Sequence, residues 1–243
     1  MMLDRGLVFM SDTRTNAGLD NISTFCKMST WEAAGERALT LLSSGNLATT
    51  QAVVSLLDER TKSHEERTST LLGVPSMFQA ASLVAETLCE VIARHSAEGQ
   101  QADSTFGATL ILGGQIAGGP PRLFLIYPEG NFIEASRDTP FFQIGETKYG
   151  RPILVRAFAP SMSFETAMKL LLVSFDSTVK SNLTVGAPFD YHLYETDTFE
   201  EGPRGRIELD DPYFQKIAQG WGDALKDALH SLPDFQLPAA DTD

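Results

Sequence analysis

The chain has 243 residues, with 19 Lys and Arg against 32 Asp and Glu, so its formal charge is −13. A hydrophobic share of 42% and a charged share of 21% are those of a globular domain and exclude a disordered, collagen-like or low-complexity chain. The acidic balance lacks the clustered Lys and Arg that phosphate binding requires, and no apolar run approaches the roughly 18 residues of a membrane span, so neither nucleic acid nor membrane is expected as a partner.

The opening Gly6-Leu7-Val8-Phe9-Met10 is a short apolar run closed by Ser11-Asp12, which predicts a buried strand entering a polar turn. After a loop from Thr13 to Asn21, two further strands are predicted: Ile22 to Met28, which roughly alternates, and Arg37 to Ser43. Two helical patterns follow. Asn46 is a candidate N-cap for a helix to about Arg60, with Leu47, Val54 and Leu57 on one stripe. From Ser76, the residues Met77, Ala80, Ala81, Val84, Leu88, Val91 and Ile92 fall at helical spacing until the polar run Ser96 to Ser104.

Strands then return at Phe106 to Leu112, Arg122 to Tyr127, Asn131 to Ala135 and Phe141 to Ile144, separated by glycine- and proline-rich turns that predict an antiparallel meander. Ser163 to about Ser181 is helical, with Met168, Leu171, Leu172 and Phe175 inward; Pro188 to Glu195 is a strand; Tyr213 to Leu229 is a last helix with Ile217, Trp221, Leu225 and Leu229 as its apolar stripe. Strand runs alternating with helices, without regular single-helix crossovers, predict an α+β fold of antiparallel sheets covered by helices, of which a four-layer α/β/β/α sandwich is one solution. Residues 1–232 are expected as one domain and 233–243 as a flexible tail. The acidic run from Glu195 to Asp211 reads as a solvated loop with an edge strand, or as a subunit contact.

Two cysteines, Cys26 and Cys89, are too few for a disulfide framework or a zinc site and fit a reducing compartment. The histidines His64, His95, His192 and His230 stand singly, so no metal and no cofactor is expected. The start Met1-Met2-Leu3-Asp4 has no basic patch leading into an apolar stretch, and a cytoplasmic location is the expectation.

The stretch from Gly6 through Asp12-Thr13-Arg14-Thr15-Asn16-Ala17 to Gly18, followed by Lys27, resembles the opening of proteasome β-type subunits, and among them the bacterial Anbu type. Asn21 to Phe25, Phe142 to Gly150, Ser174 to Thr178 and Ser181 to Leu183 are similar to the same branch, so the resemblance covers about the whole chain. It implies the sandwich fold of N-terminal nucleophile hydrolases and a homo-oligomer, a ring or helical stack, acting on peptide or unfolded protein, with any unfoldase partner unknown. In such enzymes a Thr, Ser or Cys is the first residue of the mature chain, its own α-amine is the general base, and its side chain attacks the peptide carbonyl.

Residue by residue, the resemblance implies that Asp12 is the acid holding a lysine, Lys27 the lysine whose charge favours the deprotonated nucleophile, and Gly45 the glycine whose N–H faces the oxyanion. In the turn supporting the amine, Thr184 matches a Ser, while Ser181 stands where an Asp is usual. Glu146 follows Gly145 where a Ser is usual, and a carboxylate there works against a negatively charged intermediate. Eleven residues precede Asp12 where the family has about sixteen before its acid, so the first strand reads roughly five residues short of a nucleophile. Met1 cannot substitute, and Ser11 and Thr13 lack a free amine, so as written the chain is expected to be inert as a peptidase. The alternative is a non-catalytic assembly subunit.

Overall fold

The computed structural model describes residues 1–16, 22–62, 69–97 and 106–237; Gly18, His64, most of the polar run after the second helix and the last six residues of the expected tail lie outside the described residues. In chain order the elements are β1 (Met2–Leu3), β2 (Gly6–Asp12), β3 (Arg14–Asn16), β4 (Ile22–Thr24), β5 (Met28–Ala33), β6 (Arg37–Gly45), α1 (Leu47–Lys62), α2 (Met77–Ala97), β7 (Ala108–Ile116), β8 (Arg122–Ile126), β9 (Phe132–Glu134), α3 (Arg151–Ala157), α4 (Phe164–Val179), β10 (Phe189–Glu195), β11 (Arg204–Ile207) and α5 (Pro212–Ser231). The strands form a four-stranded sheet β1-β2-β10-β11, a five-stranded sheet β5-β6-β7-β8-β9, and the hairpin β3-β4. Every pairing is antiparallel, as expected for an α+β chain. Among the described residues no helix is long and apolar enough to cross a membrane.

The two-residue period of the strands sorts side chains between cores. On β6, Leu39 and Leu41 pack with Val53 and Leu57 of α1 and Ala80, Val84 and Leu88 of α2. The residues between and beside them turn the other way: Ala38 and Leu42 join Ile111, Leu123, Leu7, Phe9 and Tyr194 in a core with members from both sheets. Thr40 follows them, its Oγ1 lying 2.8 Å from Nδ1 of His192 on β10. On β2, Val8 and Met10 face a third core with Ala167, Leu171 and Leu172 of α4 and Phe214 of α5. The predicted helices α1, α2 and α4 and the strands β2, β6, β7, β8 and β10 are present, and Asn46 caps α1 by accepting from the Thr49 N–H at 3.1 Å.

Several expectations are corrected. Ile22 to Met28 is not one strand: the chain leaves the ladder at Phe25–Lys27, and a separate β5 begins at Met28. Phe141 to Ile144 is no strand; Phe141 belongs to the helix-side core while Phe142 and Ile144 pack on the core between the sheets, so the apolar alternation serves two cores without a ladder partner. Val53, not Val54, is the buried valine of α1. The short β1, β3 and β11 and the helix α3 carry too little apolar periodicity to be read beforehand. Of the predicted stripe of α5, Ile217 and Trp221 are half-buried while Leu225 and Leu229 are 50% and 70% exposed; the buried residue of the helix is Phe214, outside that stripe.

Candidate functional site

β2 ends at Asp12, held in place because its other residues are buried and β10 pairs with it along its whole length, Phe189 opposite Asp12 and Glu195 opposite Gly6. The hairpin β3-β4 returns the chain so that Phe25 N–H donates to the Thr13 carbonyl at 2.8 Å, and the link Phe25–Lys27 is tied to β6 by the Ser43 N–H donating to the Lys27 carbonyl at 3.0 Å. This brings Lys27 back beside Asp12. The Lys27 Nζ donates to Asp12 Oδ1 at 2.7 Å and to the Arg14 carbonyl at 2.6 Å. Asp12 Oδ2 accepts from the N–H groups of Arg14 at 3.2 Å and Gly186 at 3.4 Å. The carboxylate is therefore held from both oxygens, and the ammonium keeps one of its three N–H donors beyond these two bonds.

Asp12 and Lys27 line a cavity of about 210 Å³, together with Met1, Met10, Ser44 and Gln143. The Ser11 hydroxyl and the Gln143 carbonyl oxygen also belong to residues lining this cavity, and both are buried without a hydrogen-bond partner. Such unmet groups are rare and are available to a bound molecule or water. β2 borders the cavity on its second edge. β1 covers that edge only from Gly6 to Val8, where Met1 and Val8 exchange both backbone bonds, at 2.8 and 3.0 Å.

The rim is polar. Thr184 donates its hydroxyl to Asn182 Oδ1 at 2.7 Å, and Asn182 Nδ2 donates to Glu146 Oε2 at 2.7 Å. The Lys148 N–H donates to Glu146 Oε1 at 2.7 Å, and this bond, helped by Asn182, holds the Glu146 carboxyl below its usual range, so that it is ionised at neutral pH. Gly145 adopts φ +75°, which favours glycine in this turn, and a Cβ there would stand 2.8 Å from Ser44 Oγ, so that hydroxyl would have to turn aside. Arg14 donates to the Leu183 carbonyl at 2.9 Å and lies against Gly186, where a Cβ would meet the guanidinium carbon at 2.4 Å.

Of the residues singled out beforehand, Asp12, Lys27 and Thr184 come together at the cavity. Gly45 is outside its lining but follows Ser44, which is inside. Ser181 is exposed, is bonded through its N–H to the Thr178 carbonyl at 3.0 Å, and does not line the cavity. The backbone carbonyl of Arg14, the unmet groups of Ser11 and Gln143, and the Asn182–Glu146 link had no assigned role. Arg14 had a signal in the Asp-x-Arg spacing; the link joins residues 36 positions apart and had none.

The sequence profile of the family described as "Proteasome subunit" matches residues 4–187. The chain belongs to that family. Among solved structures it is similar to Anbu (ancestral beta-subunit) from Yersinia bercovieri, 48% identical with TM-score 0.90, covering 98% of each chain. It is also similar to a structure titled helical assembly of the Anbu complex from Pseudomonas aeruginosa, 46% identical with TM-score 0.90, covering 100% of this chain and 98% of that one. A Gly-1 mutant of Anbu from Hyphomicrobium sp. strain MC1 is 49% identical with TM-score 0.89, covering 97% and 96%. Within the proteasome-subunit family, the chain is thus of the Anbu type. None of the curated proteins compared with it matches.

Proposed function

We propose that the cavity is the reaction centre of a proteasome-type peptidase subunit, on a four-layer α/β/β/α sandwich, that cleaves peptides or unfolded protein and assembles with copies of itself. The observation that carries this reading is the Lys27–Asp12 pair on the cavity wall at the end of β2, next to a strand edge that β1 leaves uncovered. In the pairs Met2–Leu7 and Leu3–Gly6 the residue numbers add to nine, so a strand continuing in register places the fourth residue ahead of Met1 opposite Asp12 and the fifth, where the family's spacing puts the nucleophile, opposite Thr13. A Thr, Ser or Cys at a free amino terminus there has its own α-amine as base. The Lys27 ammonium stabilises its developing negative charge, and Asp12 positions the ammonium. The Gly45 N–H is the proposed oxyanion donor, and Thr184, tied to Asn182, is the proposed support of the amine, with Ser181 beside it. The helical assembly of the Pseudomonas aeruginosa relative supports self-association.

A second reading, a non-catalytic assembly subunit, is favoured by Glu146, an ionised carboxylate lining the same cavity. Hydrolysis of fluorogenic peptides by a protein carrying a Thr at a free amino terminus five positions ahead of Met1 separates the two. Measurable turnover that falls at least about 100-fold in the Lys27→Ala variant supports the peptidase. Turnover unchanged by Lys27→Ala refutes it, and absence of turnover from the parent favours the assembly subunit.

A further inference from the structure

In this acidic chain several arginines stand beside carboxylates: Arg60 and Arg94 bond Glu90, Arg122 bonds Glu134, Arg204 bonds Glu201 and Arg206 bonds Asp190. One patch departs from this. Lys148, Arg151 and Arg156 are exposed, and among the described residues none of their side chains forms an ion pair. In a chain of charge −13, three cations left together without counter-ions are the exception, and they hold a local potential that attracts negative charge.

The three line one open concavity of about 340 Å³, whose other walls are Thr147, Pro152 and Val155, the last 61% exposed. Gly150 caps α3 and the Arg151 N–H donates to the Thr147 carbonyl at 3.1 Å, which folds Lys148 back toward the helix. The spacing of four from Arg151 to Val155 and from Pro152 to Arg156 puts each pair on one face. The Arg151 guanidinium carbon stands 5.9 Å from the ring of buried Phe141, which steadies it. The concavity adjoins the reaction cavity: the Lys148 N–H donates to Glu146 Oε1 at 2.7 Å, and Glu146 lines that cavity. A peptide whose bond sits in the cavity, rising roughly 3.3 Å per residue, reaches the patch about two to four residues away. The Glu146 carboxylate disfavours an acidic residue closer to the bond.

We propose that the concavity of Lys148, Arg151 and Arg156 receives an acidic stretch of the peptide substrate, Asp or Glu residues a few positions from the cleaved bond. This rests on the peptidase reading above, and names its substrate class. The guanidinium forks of Arg151 and Arg156 match carboxylates, each accepting two N–H bonds, while Pro152 and Val155 offer apolar contact to the methylenes between. The acidic run Glu195 to Asp211 of a second copy carries the same charge, but the continuity of the patch with the cavity rim through Glu146 favours the peptide.

The test is fluorescence anisotropy on the full chain with two decapeptides bearing an uncharged label, one containing three Glu and the other Gln at the same places. At about 50 mM salt the Glu peptide should bind about tenfold more tightly, as for two or three exposed ion pairs, and the advantage should vanish by about 1 M salt. The rest of the surface is acidic and repels the Glu peptide, so non-specific binding works against this result. Arg151→Glu/Arg156→Glu, checked by circular dichroism, should abolish the preference. Arg156→Glu alone, which leaves Arg151 on the Phe141 ring, should reduce it about threefold. Equal binding of the two peptides overturns the proposal, as does a Glu preference that survives both variants. Sedimentation velocity showing lost assembly in the double variant, with the Glu peptide bound as before, assigns the patch to a second copy and overturns it too. Binding is read without turnover, so its failure is separate from a failure of the peptidase reading.

Discussion

Removing the ammonium of Lys27 by Lys27→Met leaves Asp12 ionised against only two N–H donors, both at 3.2 Å or more. The side chains of Lys27 and Asp12 are 19% and 13% exposed, so little water can take the place of the 2.7 Å bond. Breaking a fully buried pair from one side costs about 3–5 kcal/mol; with the remaining exposure and the adjoining cavity, about 2–3 kcal/mol is expected here. For a chain of this length that is a fall in Tm of about 5–10 °C. Asp12→Asn should cost about 2 kcal/mol by stranding the ammonium. The double variant removes both charges, and should lose less than the two single losses added, with a coupling of about 1.5–2 kcal/mol. Thermal unfolding followed by circular dichroism at pH 7 and one fixed protein concentration measures all four proteins. Additivity within about 0.5 kcal/mol would refute the claim that Lys27 and Asp12 act as one unit.

Three further outcomes are expected. Gly145→Ala meets both a φ of +75° and the Ser44 hydroxyl at 2.8 Å, and should cost about 1–2 kcal/mol, read as a lower Tm. His192 is 1% exposed with Nε2 unpartnered, and burial pushes its imidazole below the usual value; the unfolded chain takes up that proton first, so stability present above about pH 6.5 is lost as the pH falls below it, and His192→Gln should flatten the dependence of Tm on pH between about 6.5 and 5. Leu112→Ala, at 0% exposure in the core under α1 and α2, should cost about 2–5 kcal/mol, and a smaller loss in urea unfolding would mean that this core collapses around the gap.

The site was legible in the sequence where its parts are local or carry a motif. Asp12 and Lys27 are joined by one short hairpin, and the residues around them carry the resemblance that pairs them. Helices such as α2 were legible because Met77, Ala80, Ala81, Val84, Leu88 and Val91 keep one face over more than three turns, and all are buried. The α5 stripe was equally legible, but periodicity reports only that a face is apolar, not what covers it; Leu225 and Leu229 are outside this protomer's core. β5 was hidden because Trp31 is its single buried residue. Phe141 to Ile144 misled because alternation was read as pairing, when it divides side chains between two cores. The rim from Thr184 through Asn182 to Glu146 depends on how distant loops meet, which no local pattern encodes.

The central claim is that a residue ahead of β1, brought beside Lys27 and Asp12, carries the attacking group. The most direct measurement is the intact mass of a Cys26→Ser protein bearing a Thr at a free amino terminus five positions ahead of Met1, after reaction with a peptide vinyl sulfone. One adduct per chain, mapped to that Thr and absent from the Lys27→Met variant, is the expected result. Labelling of that Thr at the same rate in the Lys27→Met variant would contradict it.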